Sequence, residues 1–260
     1  MATTSLVIHL TKRLVSERYK GTLAGWCWIV AYPLAMVSVY TFVFGSLLRA
    51  KWAVSSGESV GLPFSINVFA GLIVFLFVAD VVARAPTSIS SQPSFVKKIR
   101  FPLFIIGIAD VLAAFFHAIV SVLVLIAVAT YLGVSLQWTM LLVPLILLSI
   151  APALLGVHWM IGAVSVYLRD TEQLIPPLLT LLLFLSPVFY DLSSVTDQLR
   201  HVAVLNPLTS WIEGIRSSLQ GLIGFDEIFT LSIWAGISLC VCALGLRCFQ
   251  LIKPGFADVL

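Results

Sequence analysis

Residues 103–132 read LFIIGIADVLAAFFHAIVSVLVLIAVATYL, thirty residues with one carboxylate, Asp110, and no lysine or arginine. A helix needs roughly 20 apolar residues to cross a hydrocarbon core about 30 Å thick, and this run exceeds that length. It predicts a transmembrane helix. Five further stretches read the same way, at about 23–48, 66–83, 138–168, 174–189 and 228–252. Pro33 lies in the first, Pro144 and Pro152 are expected to kink the fourth, and the fifth is short with prolines at both ends. Composition agrees: 60% of the 260 residues are hydrophobic and 10% charged, with a mean hydropathy of +1.08. Soluble domains run at about 45–50% and about 25%. The expected fold is therefore all-α, a polytopic membrane protein with six transmembrane helices. No repeat, low-complexity tract or linker divides the chain, so 1–260 reads as one domain. A net charge of +3 is too small to argue for a nucleic-acid partner.

The segments between the spans carry more information than the spans. Residues 1–22 place an apolar run before Lys12, Arg13, Glu17, Arg18 and Lys20, the reverse of a secretory leader. Leu6, Val7, Leu10 and Leu14 share one side, so the segment reads as an amphipathic helix at the membrane interface, against the plainer alternative of a frayed polar leader. With the N-terminus in the cytoplasm, eleven of the fifteen lysines and arginines fall on cytoplasmic pieces, which places both termini inside. Residues 84–102 form a cytoplasmic segment with a polar start and a basic end, long enough for a short helix. Residues 190–224, on the outer side, contain apolar runs too short to cross. They read as a re-entrant helix pair before the last span.

Ionisable groups inside spans default to functional candidates because they are costly there. Asp80 lies four residues before Arg84, the spacing of a helix ion pair. Asp110, His117 and Ser121 gather within about 20° of Asp110 on one helical face, which suits a proton relay, a hydrated face or hydrogen bonds to a neighbouring helix. His158 stands alone and reads as a packed or hydrogen-bonded histidine. The first span is rich in aromatics. Taking Trp28 as zero, Tyr32 falls at about +40° and Phe42 at about −40°, with Trp26, Tyr40 and Phe44 at about 120–160°. Aromatic faces suit sugar rings, although interface belts and helix packing use the same residues.

Several chemistries are missing. There is no G-x-x-x-x-G-K-[ST] loop, no H-E-x-x-H, no G-x-S-x-G and no paired carboxylates on a cytoplasmic loop. An ATP-driven activity would need a separate ATPase. Cys27, Cys240, Cys242 and Cys248 form no C-x-x-C pair and read as small apolar fillers, with no metal site.

Five stretches in order resemble one family. They are RYKGTLAGWCWIVAYPL at 18–34 with YTFVFG at 40–45, VKKIRFP at 96–102, YLRD at 167–170, SPVFY at 186–190 and LNPLT at 205–209. Together they are similar to permease subunits of type-two ABC exporters for cell-surface polysaccharides, the exporters of lipid-linked O-antigen and teichoic acid. The family more often shows Leu-Gly followed by x-Trp where this chain has Ala24-Gly25 and Cys27. The resemblance implies two permease copies paired with two ABC ATPase subunits that bind ATP and Mg, and no cofactor or catalytic residue in this chain. It implies a lipid-linked polysaccharide as cargo, membrane lipid as surroundings and the cytoplasmic (inner) membrane as location. Carried onto this chain, the substrate path falls on Trp26, Trp28, Tyr32, Tyr40 and Phe44. The outer gate falls on Phe189, Tyr190, Asn206, Trp211, Glu213 and Arg216. ATPase coupling falls on residues 94–100, with Phe95, Lys97, Lys98 and Arg100. Two readings compete with this exporter permease: a proton-coupled secondary transporter using Asp110 and His117, and an intramembrane enzyme acting on a lipid-linked sugar.

Overall fold

The computed structural model describes residues 2–47, 62–91, 102–192, 196, 198, 200, 203 and 205–256, and among them there are helices and turns and no strand. In chain order the helices are α1 (Ala2–Tyr19), α2 (Trp28–Tyr40), α3 (Phe64–Arg84), α4 (Thr87–Ser90), α5 (Phe104–Tyr131), α6 (Val143–Tyr167), α7 (Thr171–Leu185), α8 (Pro207–Gln220) and α9 (Phe225–Ile252). A short 3-10 turn, Gly25–Cys27, precedes α2, and a π-helical segment, Thr41–Leu47, follows it.

A helix that is apolar on every side belongs in the middle of a bundle. α3 is such a helix: 72% of its most apolar window is buried, against 11% for Gly25–Phe44. It packs on α5, α6, α8, α7 and α2. Five stretches are long and apolar enough to cross a membrane: Gly25–Phe44, Phe64–Arg84, Phe104–Tyr131, Trp138–Tyr167 and Phe225–Gly255. The remaining expected span is the exception. α7 has 15 residues, about 22 Å at ~1.5 Å per residue, which is short of the hydrocarbon thickness. Pro176 and Pro177 lie inside it, and Ile175 is its one buried residue.

Two prolines expected to act alike differ. Pro144 sits in the first turn of α6, where a missing N–H has no partner to lose, so it starts the helix rather than kinking it. Pro152 lies inside the helix. It has no N–H for the helical ladder, and the next N–H, of Ala153, donates to Ser238 Oγ of α9 at 2.8 Å. α6 and α9 then cross in closest contact at Gly156 and Gly245. A Cβ on either would run into the other helix's backbone, which is why both are glycine.

The side of α1 marked out by leucine spacing is the side that packs. Leu6, Val7, Leu10 and Leu14 seat on Ile105 and Ala109 of α5, and Val15 and Tyr19 pack with Ala113. The chain then reverses through Gly21, whose φ of 85° suits a residue without a Cβ. At the opposite end, α8 wedges between α3 and α9. Asn206 caps it by accepting the Leu208 N–H at 3.0 Å, and Thr139 donates to the Ser218 carbonyl near its far end. With 14 residues, α8 enters the bundle without crossing it. The first half of the expected re-entrant pair lies mostly outside the described residues. The cysteines are free: Cys27 and Cys240 are exposed, while Cys242 and Cys248 are half-buried.

Candidate functional site

Four groups of side chains stand out, and each is placed by a helix whose packing has been described above.

The first is a charge chain at the α1 end. Arg18 grips Asp80 with both prongs, Nη2 to Oδ1 at 2.6 Å and Nη1 to Oδ2 at 3.1 Å. Arg84 Nε donates to the same Oδ1 at 3.1 Å, so the Asp80–Arg84 pair expected from i,i+4 spacing is present and has a third member. Arg84 Nη1 stands 4.0 Å from Asp110 Oδ1, and Asp110 Oδ2 accepts from His158 Nε2 at 3.0 Å. His158 Nδ1 is buried without a partner, which puts the ring proton on Nε2 in the neutral form. The chain joins two guanidinium groups, two carboxylates and one imidazole. Beside them, burial pushes the Tyr19 phenol above its ordinary pKa, against the pull of Arg18.

A cavity of about 520 Å³ adjoins this chain, bounded by α1, α2, α3 and α5, with Leu179 of α7 at its edge. Trp28 and Tyr32 line it, as do His117 and Ser121. The polar face expected of Asp110, His117 and Ser121 is thus divided. Asp110 turns to His158 and Arg84, whereas His117 donates to the Ala113 carbonyl at 2.7 Å and packs its ring 5.7 Å from that of Tyr19.

The third group is aromatic. Phe44 stacks on Phe189 with centroids 4.3 Å apart and planes 6° from parallel, and Tyr40 lies 4.9 Å from Phe189. Phe184 approaches the same ring at 6.4 Å. Trp26 belongs elsewhere, 5.4 Å from Tyr19. Trp26 and Tyr40 are 14 residues apart, about 21 Å along a helix at ~1.5 Å per residue, so their rings meet different neighbours.

The fourth group locks the far end. Arg216 is 2% exposed. It donates to the Asn67 carbonyl from Nε at 3.2 Å and Nη2 at 3.0 Å, to the Val188 carbonyl at 3.2 Å, and to Glu213 at 2.8 Å. Burial pulls its pKa down and the Glu213 carboxylate opposes that. Asn206 Nδ2 donates to Ser186 Oγ at 2.9 Å, and the Tyr190 hydroxyl to the Leu185 carbonyl at 3.1 Å. Trp211 is buried against Trp234 of α9 at 6.1 Å and shares with Asn206 the wall of an apolar cavity of about 410 Å³. Among the described residues no cluster could hold a metal ion.

Residues 5–219 match the family described as ABC-2 type transporter. The chain belongs to that family. It is 25% identical over 259 residues to the O-antigen export system permease protein RfbA of Klebsiella pneumoniae, spanning 98% of this chain and 95% of that one. The protein of the same name from Myxococcus xanthus is 23% identical over 245 residues, 90% of each chain. The inner membrane transport permease YadH of Escherichia coli (strain K12) is 22% identical over 240 residues, 88% of this chain and 89% of that one.

In this ABC-2 type transporter, the residues expected on the substrate path divide between the cavity (Trp28, Tyr32), the Phe189 cluster (Tyr40, Phe44) and the α1 surface (Trp26). Those expected at the outer gate join the Arg216 lock, with Phe189 in the aromatic cluster and Trp211 against α9. Phe95, Lys97, Lys98 and Arg100 lie outside the described residues. Sequence reading passed over Arg18 and Tyr19 as partners of Asp80 and His117. The signal in each case is a long-range pair, 62 residues apart for Arg18 and Asp80, that helical periodicity does not carry. Phe184 was passed over because a short apolar helix offers no contrast among its residues.

Proposed function

We propose that this chain is the permease subunit of an ATP-driven exporter that moves lipid-linked polysaccharide, O-antigen in the first instance, across the cytoplasmic membrane. The observation that carries this reading is similarity over nearly the whole chain to O-antigen export permeases of two organisms. The missing phosphate-binding loop fits a division of labour in which a separate pair of ABC ATPase subunits binds ATP and Mg. In this reading 1–260 is one transmembrane domain that works as a homodimer, multi-pass in the inner membrane, with both termini cytoplasmic. Residues 84–102 receive the ATPase stroke through Phe95, Lys97, Lys98 and Arg100. Trp26, Trp28, Tyr32, Tyr40 and Phe44 lie on the glycan path. The 190–224 segment, with Phe189, Tyr190, Asn206, Trp211, Glu213 and Arg216, closes its outer end. The chain does no covalent chemistry: aromatic faces hold sugars weakly enough for the polymer to advance.

Deleting the gene should remove surface polymer while lipid-linked polymer accumulates inside, with recovery on complementation. A deletion strain with a normal surface polymer would end the proposal. Proton-coupled secondary transport is the second reading, favoured by the buried Asp110–His158 pair within the spans. It requires Asp110→Asn with His158→Gln to abolish transport, since Asp110 pairs with His158 and not with His117. Transport that survives this change and still depends on ATP excludes it.

A further inference from the structure

Both ends of residues 84–102 are held by one helix. At the first end α4 lies against α6. A Cβ on Gly162 would stand 3.2 Å from the Ala85 carbonyl oxygen and 3.5 Å from Ile89 Cδ1, so the glycine lets the α4 backbone come close. The Ser165 hydroxyl lies 2.7 Å from the Pro86 carbonyl and 2.9 Å from the Gly162 carbonyl of its own helix, with one proton between them. At the second end the Trp159 indole, 5% exposed, donates from Nε1 to the Phe104 carbonyl at 3.0 Å. Gly107 makes room for it, since a Cβ there would stand 2.8 Å from that nitrogen. Ile89 from one end and Leu103 and Ile106 from the other share a buried cluster with Trp159, Ala163 and Val166, whose i, i+4, i+7 spacing marks one face of α6.

The same stretch of α6 is joined to α9. Phe249 and Phe256, from the end of α9 and the turn after it, belong to this cluster with their rings 5.8 Å apart. Tyr167 donates to the Ile252 carbonyl at 3.3 Å. With the Gly156–Gly245 crossing, the two helices meet at several levels, and close-packed interiors have little slack to absorb a shift of one against the other. α3 also leads into α4, but it is wedged among five helices with 72% of its most apolar window buried, whereas that of α9 is 17% buried. A central helix cannot shift without repacking all its neighbours; a peripheral one can.

We propose that Trp159 is a positioning residue. It fixes the second end of 84–102 on the α6 face that already carries the first end, so a push on this segment shifts α6 and, with it, α9. The proposal rests on the reading above in which an ABC ATPase acts on residues 84–102, and it adds which helices the stroke moves.

The test is hydrogen exchange on the full permease, purified from its own strain with the ATPase bound to it and placed in lipid nanodiscs, with and without ATP and vanadate. In the unaltered complex, nucleotide should change exchange in α4, in the Trp159–Tyr167 part of α6 and in the end of α9. Trp159→Phe keeps the aromatic bulk and removes the donor. It should leave the response of α4 in place and reduce that of α6 and α9 ~3- to 10-fold, the loss of one hydrogen bond. A merely structural role would lower the unfolding midpoint and leave the nucleotide-dependent difference as it was. The proposal is overturned if Trp159→Phe responds as the unaltered complex does, or if nucleotide changes α4 and not α6. Should Trp159→Phe fail to fold, Ser165→Ala, which loosens the other end, takes its place, and an unchanged α6 response overturns the proposal equally. The two readings fail separately. A permease that purifies without an ATPase removes the ATPase reading and this proposal with it. A normal surface polymer in the deletion strain, with the α6 response present, removes the cargo and leaves the positioning role. Polymer lost on deletion, with no α6 response, removes the positioning role and leaves the exporter.

Discussion

Arg18 and Arg216 sit at opposite ends of the bundle and hold it in different ways. Arg216 is 2% exposed, and three of its four hydrogen bonds described above go to backbone carbonyls of Asn67 and Val188. Those carbonyls move only if the segments carrying them move, so α8, the start of α3 and the turn after α7 are tied as one piece. Arg18 has a side chain 38% exposed and holds a carboxylate, Asp80, that is itself on a rotatable side chain. An ion pair near solvent is weak and salt-sensitive, and it can break and re-form. The α8 end is held through backbone carbonyls; the α1 end is held through side-chain carboxylates nearer the surface.

The largest way to break this comparison is Arg216→Met. It strands Glu213 and leaves the Asn67 and Val188 carbonyls without their buried donor, and it should cost about 3–5 kcal/mol. The readout is the thermal unfolding midpoint in detergent. Arg216→Lys should recover little, because one ammonium cannot serve a fork of carbonyls and a carboxylate. A midpoint like that of the unaltered protein would mean that this end is not fixed as described.

Asp80→Asn should have a smaller effect, about 1 kcal/mol, because it leaves Arg18 and Arg84 facing a neutral amide. A double-mutant cycle with Arg18→Gln should give a coupling that shrinks as salt is added. No coupling at low salt would mean that α1 is held by Leu10, Val15 and Tyr19 alone. The smallest effect belongs to Arg13→Ala. The Arg13–Glu17 pair measures 2.7 Å but its side chains are 63% and 52% exposed, so the change should stay within about 0.5 kcal/mol in the same unfolding experiment. A larger loss would show that exposure is a poor guide to which arginines hold this bundle.

Much of this was legible before any coordinates, for a physical reason. Lipid removes water as a partner for the backbone, so a run such as 103–132 has almost no option but a helix. The apolar side of α1 was also legible, although the cover over it is α5. The Asp80–Arg84 pair was legible because four residues make one helical turn. What helical angle alone does not carry is distance along the axis and the path by which the chain enters a helix. Trp26 and Tyr40 meet different neighbours because about 21 Å of helix separates them, and Pro144 became a helix start because the chain reaches it through a 3-10 turn, Trp138–Leu142.

By itself the sequence determined that this is a bundle of membrane helices, which segments cannot be plain spans, and which rare polar groups would have to be paired. Those follow from local composition and from the cost of bare polar groups in hydrocarbon. Only the tertiary structure decided the pairings: Asp110 with His158 rather than His117, Arg18 with Asp80, Arg216 with the carbonyls of Asn67 and Val188. Each depends on how helices distant in sequence are rotated and stacked against one another, and no local pattern records that.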